Sequence, residues 1–175
     1  MVTQGYNSMD RRSLAQEIID RHRGLVPDRF ISLRWWASNM TDANRRSVFA
    51  NLEDTASGLR ATRTDSASDG TLVGGTVFLS EHLLRAILHL NDRFGSFALN
   101  SIVGGRHYSN TSRHYQGIAV DIQRGSGVEG IAESPADILA YLEGRGFVTQ
   151  RTTTGVTQSN YVGNASVVHV EAWGS

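Results

Sequence analysis

Apolar residues recur at helical spacing in four segments of the chain and alternate or run together in the intervals between them. Leu14, Ile18 and Ile19 predict an amphipathic helix over 10–23, ended by Gly24 and Pro27. A β-prone run follows at 30–36. Thr41 is a fitting N-cap for a second helix that carries Val48, Phe49, Leu52 and Ala56 on one face and stops at Gly58. The stretch 61–75 is rich in Ser, Thr, Asp and Gly with little periodicity, and reads as an exposed loop. A strand over 75–79 leads to Ser80 and a helix over 81–94. The broad apolar face of that helix, with Leu83, Leu84, Ile87, Leu88 and Leu90, marks it as the central core helix. A strand over 96–103, a polar loop over 104–113 and a strand over 115–122 come next, with Ile118, Val120 and Ile122 on one side of the pleat and Ala119 and Asp121 on the other. Ser134-Pro135 starts a last helix, stopped over 144–146, and strands are expected at 147–150, around Val156 and over 166–173. Helices early and strands late predict an α+β fold.

Composition narrows the class. The 175 residues suffice for one compact domain and fall short of two ordinary ones. Hydrophobic residues make up 39% and charged residues 19%, with 17 basic against 17 acidic, so disorder driven by charge and general affinity for polyanions are both excluded as defaults. Nucleic acid is therefore not the expected partner, and a monomer is the expected state. The chain has no cysteine, which removes disulfides, thiol nucleophiles and thiolate metal sites; any metal must be held by His and carboxylate. No run reaches the roughly 20 apolar residues that a bilayer span needs. The start lacks the basic and apolar regions of a signal peptide, so the chain is expected either not to be exported by that route or to have been trimmed. All the basic residues are Arg, which excludes lysine chemistry and is read as genomic composition.

Six histidines carry the functional reading. His22, His82 and His89 fall within helices beside charged residues and are expected at solvated or boundary positions. His107, His114 and His169 fall in loops or at strand ends near short carboxylates, where functional side chains gather. In Ser112-Arg-His114-Tyr-Gln-Gly117-Ile-Ala119-Val-Asp121, a histidine at a loop end and an aspartate on the following strand can meet, because Gly117 permits a sharp turn and Ala119 leaves the strand face uncrowded. His169, in Val167-Val-His-Val-Glu-Ala-Trp173, sits on a strand that can pair with the one bearing Asp121. His114, Asp121 and His169 would then offer two nitrogens and one oxygen, the donor set of an open zinc site, with Co²⁺ or Mn²⁺ as alternatives by ligand type. Trp35 and Trp36 are read as packing residues, a glycan platform being the other possibility.

Ser112-x-His114-x-x-Gly117-x-Ala119-x-Asp121 resembles the signature of the zinc D-Ala-D-Ala carboxypeptidase and peptidoglycan endopeptidase family, whose fold the Hedgehog signalling domain shares. The similarity runs from about Gly75 to Trp173. It implies a mixed, mainly antiparallel sheet flanked by helices, with 71–175 as the zinc peptidase-like core and 1–70 as a helical extension or an integral part of it. It also implies zinc on His114, Asp121 and His169, a peptidoglycan peptide as substrate, and action outside the cell or at its wall. Arg106 resembles the arginine that grips a substrate carboxylate in the carboxypeptidases, and Ser112 and Tyr115 are expected beside the substrate. Active members carry a Glu or second His shortly before the last ligand. Residues 163–168 here are Gly, Asn, Ala, Ser, Val and Val, none of them a base. Glu171 is the candidate general base instead, with His107 as another proton carrier, or Glu171 is itself a ligand and His169 the acid/base. If no base acts, the chain is expected to be an inactive zinc-binding module of the same fold.

Overall fold

A computed structural model describes residues 5–34, 47–125, 129–150 and 167–173. Helix α1 (Arg11–His22) opens at Asp10, whose carboxylate accepts from the Ser13 N–H at 2.8 Å and satisfies one of the free donors of the first turn. Its Leu14, Ala15, Ile18 and Ile19 are buried, as their spacing predicts. Strand β1 (Ile31–Leu33) follows. Helix α2 (Val48–Ala56) starts at Ser47, whose hydroxyl caps Ala50; Thr41, the sequence-based cap, lies outside the described residues, as do Trp35 and Trp36. Helix α3 (Glu81–Phe94) keeps the predicted bounds, although the Ser80 side chain makes no capping bond. Helix α4 (Pro135–Glu143) begins with proline in its first turn behind Ser134, whose hydroxyl accepts from the Asp137 N–H.

Segment 61–75 departs from the exposed loop expected of it. Strand β2 (Ala61–Thr62) pairs antiparallel with β3 (Thr76–Val77), and between them Val73 N–H bonds Asp65 O and Gly74 N–H bonds Thr64 O, both at 2.9 Å. Thr64 and Ala67 are fully buried. Main-chain groups make this hairpin, so side-chain periodicity carries no sign of it. Two expected strands also shift: β4 is Phe97–Ser101, and the run over 115–122 gives Tyr115 to a 3-10 turn (Arg113–Gln116) ahead of β5 (Ala119–Gln123).

Among the described residues the main sheet has the order β1-β4-β5-β7-β6, with β6 at Val148–Thr149 and β7 at Val167–Trp173. β1 runs parallel to β4 and the other pairs are antiparallel, giving a mixed sheet and an α+β fold. The strand expected around Val156 lies outside the described residues. One apolar cluster joins Leu14 and Ile18 of α1, Ile31 of β1, Leu52 of α2, the buried face of α3, and Val120, Ile122, Val168 and Val170 of the sheet. Elements from before and after residue 70 therefore share a core. Each fully buried Leu or Ile contributes about 1.5–3 kcal/mol by leaving water. Because β5 and β7 turn Val120, Ile122, Val168 and Val170 into this core, the pleat carries Asp121 and His169 to the opposite face.

Candidate metal centre

The β5–β7 ladder sets the register of the site: Asp121 stands opposite His169, and Ala119 opposite Glu171. Directly opposed residues on one sheet face bring their side chains within reach of each other. His169 Nδ1 lies 3.0 Å from Asp121 Oδ1, as the paired strands require. His114 reaches the same point from the 3-10 turn. Ser112 caps that turn, and Gly117 ends it in the left-handed region at φ +74°, where a Cβ would stand 2.6 Å from the Phe78 carbonyl oxygen. Glycine is required there on both counts. His114 Nε2 is 3.1 Å from His169 Nδ1 and 3.3 Å from Asp121 Oδ1. Three side chains distant in sequence thus direct one atom each at a common point.

Neighbouring groups settle which nitrogen of each ring is presented. His114 Nδ1 donates to the Ile102 carbonyl at 2.7 Å, leaving Nε2 to face the cluster. The other nitrogen of His169, Nε2, is 3.0 Å from Glu171 Oε1. Burial opposes charge on both Asp121 and His169, yet their mutual interactions win. Hydrogen bonds and charge from His114 and His169 hold the Asp121 carboxyl far below the usual carboxylate range. Against its own desolvation, His169 is pushed up to about 9 by hydrogen bonds to Asp121 and Glu171.

His107 is stacked on His114, ring centroids 3.5 Å apart and planes 7° from parallel. Its Nε2 lies 3.0 Å from the Ile102 carbonyl and 3.1 Å from Ser101 Oγ. Burial first, and the adjacent His114 second, press its pKa well below that of free imidazole, so it is neutral. His107, His114 and Asp121 form a His/His/Asp group whose donor atoms lie within 4.8 Å of one another and which can hold a metal ion. His114, Asp121 and His169 form a tighter one, and the two groups share His114 and Asp121. An imidazole lone pair lies in the ring plane, so an ion in the plane of His114 would sit off the plane of His107 by about the ring separation. Stacking therefore makes these two histidines poor joint ligands.

The remaining sequence candidates are placed as follows. Tyr115 is buried, and its hydroxyl accepts from the His107 N–H at 2.8 Å and donates to the Gly105 carbonyl, so it clamps the loop from within. Arg106 is exposed and donates to Ser66 Oγ. Glu171 is 6% exposed and lies across the His169 ring from Asp121. His89, expected at a solvated or boundary position, is buried between aromatic rings. Sequence reasoning missed two supports. The Ile102 carbonyl is invisible because every residue has one. Buried Gln150 accepts from the Glu171 N–H and donates to the His169 carbonyl, and a polar residue at the end of the strand expected over 147–150 is its only signal. Comparison with protein-family models, with curated proteins and with solved structures returns no match.

Proposed function

We propose that this chain is a zinc-dependent peptidase that hydrolyses peptidoglycan stem peptides or cross-links outside the cytoplasmic membrane, with His114, Asp121 and His169 as the metal ligands. One observation carries the reading: His114 Nε2, Asp121 Oδ1 and His169 Nδ1 lie 3.0–3.3 Å from one another. A tetrahedral zinc ion with ligands at about 2.0–2.1 Å needs neighbouring donors roughly 3.3 Å apart, so the group fits the ion with little rearrangement. The motif that spans Ser112 to Asp121 supplies the substrate class by resemblance.

When bound, zinc supplies Lewis acidity, polarising a carbonyl and acidifying water to a pKa of about 7. The protein's own groups orient the ligands. The Ile102 carbonyl holds the proton of His114 on Nδ1, Glu171 holds that of His169 on Nε2, and His107 braces the His114 ring face to face. Arg106 offers a guanidinium fork suited to a peptide carboxylate, while Ser112 and Tyr115 fix the turn and loop between which His114 stands.

The engagement of Glu171 and His107 with the ligand rings favours a second reading, a zinc-stabilised binding module without turnover. Metal analysis and digestion of purified peptidoglycan separate the two. About one zinc per chain, with D-Ala or cleaved cross-links released and the release lost on chelation, supports the peptidase. Metal-loaded but inert protein supports the module. Metal-free wild type that takes up no zinc defeats both, as does unchanged zinc content in His114→Ala and Asp121→Ala.

A further inference from the structure

The helical layer carries a second concentration of polar groups, remote in chain position from the metal ligands. Two adjoining hollows of about 530 and 570 Å³ open between α1, α3, α4 and a 3-10 turn at Tyr6–Ser8, and they share His89, Tyr141 and Arg145. We propose that this cleft binds a small oxyanion ligand, through a carboxylate or phosphate group held by Arg145, His89 and the neighbouring Arg29 and Arg93.

Histidine 89 is the first support. It is 6% exposed, midway along the core helix, with the Tyr6 ring at 5.1 Å and the Phe147 ring at 5.9 Å, both edge-on. An apolar residue would fill that place without the cost of burying imidazole nitrogens. Neither nitrogen has a hydrogen-bond partner among the described residues. Arg63 Nε is the one described side-chain polar atom that is both wholly buried and unpartnered, so the His89 nitrogens must open on the cleft.

Charge is the second. The larger hollow is lined by four arginines, Arg21, Arg29, Arg93 and Arg145, against two carboxylates, Glu17 and Asp92. Arg21 engages both carboxylates, at 3.0 and 2.9 Å, and Arg29 also reaches Asp92, at 3.4 Å, which leaves Arg93 and Arg145 as the cations of this lining without a carboxylate of their own among the described residues. An excess of positive charge gathers here in a chain whose net charge is zero. Arg145 donates through Nε to the Tyr141 hydroxyl at 2.7 Å and lies over that ring, which orients its fork, and neither Nη has a partner among the described residues. A planar fork of N–H donors suits a carboxylate or phosphate, and a neutral imidazole adds one N–H more. The rings of Tyr6, Tyr141 and Phe147 offer apolar surface to the body of the ligand.

The test is an NMR titration of the ¹⁵N-labelled full chain with inorganic phosphate and, separately, with acetate, sodium chloride holding ionic strength constant. Saturable shifts at His89, Tyr141, Asn7 and the Arg145 Nε–H are expected. Response to phosphate alone, acetate alone or both identifies the preferred group. Arg145→Gln should weaken binding about tenfold, the loss expected for one charge-assisted hydrogen bond, and leave zinc content unaltered. His89→Phe should weaken it too; should that variant not fold, Arg145→Gln and Arg29→Gln at the cleft mouth still decide. Shifts that do not saturate, that chloride reproduces, or that survive Arg145→Gln overturn the proposal.

Discussion

Imidazole commitments determine what each histidine of the cluster can do. His114 and His169 each turn one nitrogen toward Asp121 and give the other to a fixed acceptor, the Ile102 carbonyl and the Glu171 carboxylate. His107 instead gives its face to His114. Two outcomes follow for metal binding by the proposed ligands. Glu171→Gln should keep the stoichiometry while weakening zinc affinity about 10- to 100-fold, the usual effect of losing the partner of a liganding histidine; a competition assay with a chromophoric chelator reads it, and complete loss of zinc would make Glu171 a ligand. His107→Phe keeps a flat ring against His114 and should retain about one zinc per chain; loss of the metal would place His107 among the ligands. Residue spacing picked out His114 and Asp121, because a histidine before a glycine turn and an alternating strand restrict where side chains can point, and the expected pairing of the last strand with that of Asp121 added His169. It could not tell that Tyr115 faces inward, since an aromatic residue beside a loop suits a cleft wall and a buried clamp equally.

Helices were the more legible elements. The bounds of α3 and α4 follow from apolar periodicity, a serine before the first turn and glycine after the last. The short β2–β3 hairpin was not legible, because main-chain bonds build it and its side chains obey no period. Between elements, Arg21 of α1 is 3% exposed and joins the helix to α3 through Asn91 at 2.6 Å and Asp92 at 2.9 Å, with Glu17 and the Tyr6 hydroxyl completing its shell. Removing the guanidinium leaves those partners facing each other. Arg21→Met should lower stability by about 2 kcal/mol, measured by urea unfolding, with zinc content unaffected. A change below a few tenths of a kcal/mol would show that the network is neutral.

For the molecule as a whole, a metal held by the proposed ligands would bridge β5, β7 and the 3-10 turn before β5 and tie three separate stretches of chain together. At metal concentrations about 100-fold above Kd, binding to the folded state alone adds about 2.7 kcal/mol, so chelation should lower Tm by roughly 5–10 °C in a chain of this size. A Tm that is the same with excess zinc and with chelator would mean that the ion does not bind the native fold. A second global effect belongs to His89. Its pKa is lowered by burial and then by Arg145 and Arg21, with Asp92 opposing and Tyr6 packed alongside. The unfolded chain therefore takes up a proton that the native state refuses. Stability from this group is intact above about pH 6.5 and declines as pH falls below it, by at most about 1.4 kcal/mol per pH unit. His89→Phe should flatten that decline between pH 7 and 5 in denaturant titrations; an identical slope would show that His89 is protonated in the native state.

What the amino-acid order determined by itself was local: where helices start and stop, which strand faces are apolar, and which histidines lie next to turns and carboxylates. These follow from hydrogen-bond and steric rules that act over a few residues. Only the tertiary structure decided that Asp121 and His169 stand opposite each other, that His107 stacks on His114 while Glu171 braces His169, and that His89 opens on an arginine-lined cleft. Those outcomes depend on strand register and on the packing of segments dozens of residues apart, and no local pattern encodes either.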